Sequence, residues 1–361
     1  MLILFYILSA VFILVSVLPL IPHQHWVFRV WEFGRIQLLV LQSLMLILGL
    51  ICIADKTALT WITLLALVAV SIHNLIILIP YTPIYGRKSE AGVAQDSQII
   101  SILSVNVYQF NEKYDELIQL VLDVKPDIFL TMESNQAWED ALTEIESLYP
   151  NQQKVALENT YGMHLYTKLD VESLKVHYFI SDDLPSIEAC LYTEDGVKFT
   201  FFGVHPPPPS PSEEDTSRER DGELLALGKR VLATESPVIV VGDFNNVAWA
   251  KSSILFRKTS QLLDPRIGRG FVSTFHAKYR LLRFPIDLCF HSPNIFIQDF
   301  KTLGNIGSDH LPLFCNFFIN EKEHMKEDEV ETLNTDEEEE VEEMIEDGNE
   351  EDGDRPAVAS E

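Results

Sequence analysis

Within its first 80 residues the chain carries three almost purely apolar blocks, 2–21, 36–54 and 58–79, each about 20 residues long. A helix rises about 1.5 Å per residue, so such a block spans the roughly 30 Å hydrocarbon core of a bilayer. Buried helices of a soluble domain would show amphipathic faces, and these blocks show none. The first block lacks the basic leading segment and small-residue cleavage site of a secretory signal, and two further blocks follow it. The sequence therefore predicts three transmembrane helices over 1–80, a multi-pass anchor beside which the rest of the chain must fold.

Loop 22–35 carries Arg29 and Arg35, the exit from the third block carries Arg87 and Lys88, and the other side has only Lys56. By the positive-inside rule the main domain is expected in the cytoplasm, after a linker at 81–97. Gln37, Gln42, His73 and Asn74 are too few polar residues within the spans to line a transport pathway. At the other end, residues 321–361 hold 20 acidic and 3 basic residues. We expect a disordered acidic tail there, a solvating segment or one that binds a protein partner or buffers metal ions. The four cysteines, one of them inside a span, make neither a disulfide framework nor a zinc site.

Between these regions, 98–320 alternates strand and helix signals. "QIISILSVNVY" (98–108), "DIFLTMES" (127–134), "VKFTFFGVH" (197–205) and "PVIVVGDFNN" (237–246) read as buried strands, and 111–127 and 217–233 have helical spacing. The four strands carry polar residues at or just past their ends: Asn106, Glu133, His205, and Asp243 with Asn245. Asp309 and His310 open the last strand, and Asp287 interrupts an apolar run, where a carboxylate is costly unless paired, hydrogen-bonded or bound to metal. Taken singly, Asp243 reads as a turn, Asp309 as a cap and His205 as a strand end. Six such readings in order are less economical than one site at one sheet edge. Its oxygen-rich donors suit Mg²⁺ (or Mn²⁺), and with two histidines they are the parts for metal-assisted hydrolysis of a phosphate ester.

In their order, "LSVNVY", "PDIFLTMES", "VHPP", "VVGDFNN", "PIDLCF" and "GSDHLPL" resemble the motifs of the endonuclease/exonuclease/phosphatase superfamily, the deoxyribonuclease I-like fold. "HPPPP", "RDGELLAL", "NNVAW" and "LLDPRIGRGFVSTF" look similar to a membrane-anchored bacterial branch of it. The resemblance implies an α/β fold, a four-layer α/β sandwich over 98–320 preceded by the three transmembrane helices, in a bacterial inner (plasma) membrane. It implies Glu133 as chief metal ligand, helped by Asn106 and Asp309. Asp243 would orient or activate water, Asn245 would hold phosphate or that water, and His310 would contact the scissile phosphate or act as base. Asp287 would orient a histidine, and His205 is the candidate acid for the leaving oxygen. Met132 stands where the family usually has Gln and Gly203 where it has an amide, so a supporting hydrogen bond is expected to be lost.

Residues 95–320 hold 31 acidic and 19 basic residues, which argues against a dedicated duplex nuclease, although Arg266, Arg269, Lys278, Arg280 and Arg283 form a candidate basic patch. The expected activity is that of a membrane-anchored, divalent-metal-dependent phosphodiesterase acting on nucleic acid, a lipid head group or a small molecule. The alternative, an inactive scaffold working through its acidic tail, predicts loss of Glu133, Asp243 or His310, and all three are present.

Overall fold

The computed structural model describes residues 2–86, 98–211, 213–320 and 327–351. Helices α1 (Leu2–Val17), α2 (Trp26–Arg29), α3 (Arg35–Cys52) and α4 (Ala58–Leu78) come first. Three stretches, Leu2–Leu20, Arg35–Cys52 and Ala58–Tyr81, are long and apolar enough to cross a membrane. Their outward faces expose Ile3, Ile51, Leu65 and Ile76, while Phe5, Met45, Leu64 and Leu67 pack inside. Several polar residues of these helices also turn inward. Arg35 donates to Asn74 Oδ1 (3.0 Å), Asn74 to Gln42 Oε1 (3.3 Å) and Gln42 to Ser16 Oγ (2.6 Å), which ties the three helices together.

The remaining elements are β1 (Ile100–Asn106), α5 (Tyr114–Val124), β2 (Ile128–Met132), α6 (Gln136–Leu142), β3 (Asn151–Val155), β4 (Met163–Thr167), β5 (Asp170–His177), β6 (Ser186–Tyr192) and β7 (Lys198–Val204). They continue with α7 (Arg218–Leu232), β8 (Val238–Asp243), α8 (Lys251–Ser260), β9 (Asp287–His291), β10 (Ile295–Thr302), β11 (Leu313–Ile319) and α9 (Thr335–Glu350). One sheet has the order β10-β11-β1-β2-β4-β3 and the other β5-β6-β7-β8-β9. Ile102, Leu130 and Leu165 of the first sheet meet Phe199, Phe201 and Ile239 of the second in the central core. Leu103 and Phe129 face outward onto Leu117, Val121 and Trp138 of α5 and α6, and Val240 and Phe290 onto Leu224, Leu227 and Phe256 of α7 and α8. Helix, sheet, sheet, helix: this is the expected four-layer sandwich. The inner strands are covered on both faces, which is why they read as continuous apolar runs.

Topology selects one edge for the chemistry. β1 runs parallel to β2, and β7 to β8, so the polar C-terminal ends within each pair lie side by side. β9 and β11 run antiparallel to β8 and β1 and therefore begin at that edge.

Two expectations need amendment. The domain does not simply hang from a linker, because Leu78 and Tyr81 join the apolar cluster beneath α7 and α8. Tyr81 also donates to Ala248 O (3.1 Å), and Trp249 Nε1 to Glu32 O (2.8 Å). Residues 87–97, with Arg87 and Lys88, lie outside the described residues. The acidic tail is not disordered throughout, since 335–350 is helical. Val341, Met344, Ile345 and Gly348 fall at i, i+3, i+4 and i+7 and make the apolar stripe a helix needs. Asn334 and Glu337 form a reciprocal capping box at its start. Val341 and Met344 pack on Leu225 and Leu255, and Glu337 and Glu342 pair with Lys258 and Lys229. Residues 321–326 and 352–361 lie outside the described residues.

Candidate active site

Asp243 ends β8 directly opposite Asp287, the first residue of β9. The strand reaches this point through Gly242, where a Cβ would lie 2.0 Å from Val204 O, so only glycine lets β7 and β8 approach here. Two site residues beyond strand ends adopt left-handed backbone conformations, Glu133 at φ 59° and Asn245 at φ 47°. Asparagine tolerates that region and glutamate does so less readily, so Glu133 is held there by its surroundings.

Those surroundings are a connected set of hydrogen bonds. Asn106 Nδ2 donates to Glu133 Oε1 (2.8 Å) and to Asp243 Oδ2 (3.0 Å), joining the two sheets. Gln109 N donates to Glu133 Oε2 (3.1 Å). His310 Nδ1 lies 2.8 Å from Asp287 Oδ2, and because a carboxylate only accepts, this nitrogen carries the proton. The other ring nitrogen, Nε2, lies 3.5 Å from Asp243 Oδ2, and His205 Nε2 approaches the same oxygen at 3.9 Å. Asn245 N donates to Asp243 Oδ1 (2.9 Å), and its side-chain amide donates to Pro206 O (3.0 Å). Ser308 Oγ donates to Asn106 O (2.8 Å) and accepts from His310 N (3.0 Å), seating the last loop against β1. Asp309 is half-buried, and its carboxylate bears electrostatically on both Glu133 and His310.

Charge follows from this burial. Desolvation lifts the Glu133 carboxyl to about 7, against hydrogen bonding from Asn106 and the attraction of His310. Burial likewise raises Asp243. His205 is driven down to about 4 by burial and is neutral at neutral pH. Burial alone would also lower His310, but Asp287 and Asp243 outweigh it and lift the imidazole to about 10. His310, more than His205, is therefore the cationic group of the site.

The eight residues singled out in the sequence thus gather at one edge, although not all as expected. Asn106 offers its amide NH₂ to two carboxylates, while its Oδ1 accepts from Tyr108 N (3.0 Å). Met132 makes a contact of its own, its Sδ accepting from Asp243 N at 3.1 Å. A Cβ on Gly203 would lie 2.7 Å from Leu130 Cδ1, so the glycine serves close packing between the sheets. Arg266 leaves the candidate basic patch, because it is buried and paired with Asp264 at 2.8 Å. The sequence reading missed Phe275, whose ring lies 4.9 Å from His310, and buried Arg220, which donates to Asn245 O (3.2 Å). "RDGELLAL" contained Arg220 but gave no sign that it reaches the site.

A divalent cation fits the donor chemistry. Glu133 is a hard oxygen donor whose burial leaves it short of positive charge, with Asp309 close by. Asp243, Asp287 and His310 also bring ligand atoms within 4.8 Å of one another. There, however, His310 Nδ1 is committed to Asp287, and the ring is held as a cation, which cannot coordinate a metal.

Two packed mixed sheets thus carry a carboxylate–histidine cluster at one edge. The profile of the endonuclease/exonuclease/phosphatase family matches residues 103–310, and the chain belongs to that family. It is a hydrolase of phosphate esters. Similar solved structures include TDP2 from D. rerio complexed with single-strand DNA product, at 17% identity and TM-score 0.52, covering 61% of this chain and 99% of that one. Another is the human Nocturnin catalytic domain with bound sulfate, at 17% identity and TM-score 0.51, covering 62% and 95%. A third is an endonuclease/exonuclease/phosphatase family protein from Bacteroides thetaiotaomicron, at 17% identity and TM-score 0.50, covering 63% and 97%. At such identities the likeness is one of fold. No curated protein sequence gives a significant match.

Proposed function

We propose that the chain is a membrane-anchored phosphodiesterase dependent on Mg²⁺ or Mn²⁺, with its catalytic domain on the cytoplasmic side. The observation that carries the reading is the charged triad Asp287–His310–Asp243 beside a Glu133 carboxylate in need of a cation. Glu133, with Asp309, would hold the metal, which when bound neutralises phosphate oxygens. Asp243 lies where it can orient the attacking water and take its proton, and burial raises the pull of its carboxylate on that proton. Charged His310, fixed by Asp287, stabilises the phosphate as negative charge builds on it. Neutral His205 and the Asn245 amide are hydrogen-bond donors for the remaining oxygens. Arg29 and Arg35 at the membrane end of the domain support the cytoplasmic placement.

The test is hydrolysis of bis(p-nitrophenyl) phosphate by the detergent-solubilised full chain, with Mg²⁺ or Mn²⁺ against EDTA. Metal-dependent turnover lost in His310→Ala is expected. A folded wild-type protein that is inactive with both metals would sink the reading.

A further inference from the structure

The segment Val272–Phe284 connects the catalytic edge to the membrane helices. At its base, Phe275 packs against the His310 ring and Ala277 N donates to Asp309 O (2.6 Å). Thr274 O accepts from Leu311 N (3.1 Å), so the base is stitched to the loop that carries the catalytic histidine. At its tip, Leu281, Leu282 and Tyr279 are 85%, 56% and 50% exposed, flanked by exposed Lys278 and Arg280. Three large side chains left in water beside two cations are unusual for a loop made only to connect strands.

The level of this tip is fixed by α3. Gln37, in the first turn of the helix that forms the second candidate span, donates its side-chain amide to Leu281 O (2.8 Å). Phe33 meets Phe284 edge-on, with ring centroids 5.9 Å apart. Ile36 and Leu39 pack against the same apolar cluster as Phe275 and Phe284. With α3 crossing a bilayer, a loop bonded to its first turn would lie at the depth of the lipid head groups. Its composition, apolar and aromatic side chains among lysine and arginine, is that of a segment which settles into that layer and is drawn to anionic lipid.

We propose that this strap docks the catalytic edge on the bilayer surface and that the substrate is a phosphodiester in the head group of a membrane lipid. The inference rests on the phosphodiesterase reading above and supplies its substrate class. Water adds to phosphorus, one P–O ester bond breaks, and the proton from water ends on the departing alcohol, leaving a phosphomonoester and an alcohol. Soluble nucleic acid would gain nothing from an apolar tip held at the membrane.

The test uses the full chain reconstituted in vesicles of phosphatidylglycerol and phosphatidylethanolamine, with Mg²⁺ or Mn²⁺. Three substrates are followed in parallel: the vesicle lipid, bis(p-nitrophenyl) phosphate and a single-stranded DNA oligonucleotide. Cleavage of vesicle lipid is expected. In Leu281→Ser/Leu282→Ser the ratio of lipid to soluble-diester turnover should fall at least tenfold. A nitroxide on Leu281→Cys, in a Cys52→Ser background, should be more accessible to oxygen than to a water-soluble nickel reagent. Turnover of the soluble diester without any lipid cleavage overturns this inference and leaves the phosphodiesterase reading standing. So do DNA cleavage with lipid untouched, an unchanged ratio in the double variant, and a nitroxide exposed mainly to nickel. Absence of turnover of all three substrates by the folded protein defeats both.

Discussion

His310 is fixed through Nδ1 to Asp287 Oδ2 at 2.8 Å, which leaves Nε2 pointing at Asp243 Oδ2 at 3.5 Å. The first contact decides what the second can do. With its proton-bearing Nδ1 held by one carboxylate and a second carboxylate beyond, the ring carries charge at neutral pH and cannot turn away from the site. Asp287→Asn removes the charge but keeps the shape. The expected result is a fall in kcat on a soluble diester of about 10²–10⁴-fold, with KM changed far less, because the lost stabilisation belongs to the transition state. Steady-state kinetics on both parameters checks this. An Asp287→Asn enzyme within threefold of wild type would refute the role assigned to the pair.

Glu133 calls for a different measurement. Its carboxyl is raised to about 7 by burial, so in the absence of a cation a good part of it is protonated at neutral pH. A bound divalent ion favours the ionised form, so metal binding should release protons and weaken as pH falls below neutral. Glu133→Gln should lower turnover at least about a hundredfold, about 2.7 kcal/mol of transition-state stabilisation. It should also weaken Mn²⁺ binding in titration calorimetry. Metal affinity equal to that of wild type would move the ligand role elsewhere.

How much of this was legible in the chain depends on distance in sequence. Strands covered on both faces are written as unbroken apolar runs, and a carboxylate inside such a run, as at Asp287, stands out because burial makes it costly. That is why the sandwich and the polar edge could be anticipated. The side chains that lock the edge together were not visible. Nothing near Arg220 points to Asn245, 25 residues later, and nothing near Phe275 points to His310. The acidic tail misled for a related reason. Its negative charge concealed a short stripe, Val341, Met344, Ile345 and Gly348, and its compensating lysines lie on two other helices, Lys258 being 79 residues from Glu337. A basic patch counted from sequence likewise included Arg266, which folding turns inward onto Asp264.

Away from the site, Glu223 on α7 is buried and accepts from Ile180 N (2.9 Å) and Ser186 Oγ (3.4 Å). Desolvation, against these hydrogen bonds, lifts its carboxyl to about 8. A raised carboxyl pKa means that the native state binds this proton more tightly than the unfolded chain does. Its contribution to stability is complete below the ordinary carboxylate range and is lost as pH rises through about 8. Glu223→Gln keeps a carbonyl oxygen to accept from Ile180 N, turns an N–H toward Ser186 Oγ and cannot ionise. Thermal unfolding should find the variant more stable than wild type at pH 9, by several degrees, and nearly equal to it at pH 4. Parallel curves for the two proteins across that range would contradict the assignment.

The acidic helix α9 crosses α7 where Gly348 meets Gly222, and a Cβ on Gly348 would sit 3.0 Å from Arg218 O and 3.1 Å from Gly222 Cα. Two kinds of force hold it there, and their magnitudes can be separated. Lys229–Glu342, Lys258–Glu337, Arg257–Glu331 and Lys251–Glu340 are surface ion pairs, each contributing about 0–1 kcal/mol and weakened by salt. Val341 and Met344 are buried against Leu225 and Leu255, and each contributes on the order of 1.5–3 kcal/mol. Apolar burial and the glycine crossing should therefore dominate. Gly348→Val forces the backbones apart at a cost of about 1–3 kcal/mol, and Met344→Asp removes one apolar anchor and leaves a charge in its place. Both variants should make 335–350 markedly more susceptible to limited proteolysis, whereas 1 M NaCl applied to the wild type should increase cleavage only modestly. Glu343→Ala, on the exposed face, is the control and should cut like wild type. Rapid release of the helix by salt alone, with Gly348→Val still protected, would show that the ion pairs rather than the crossing fasten α9 to the domain.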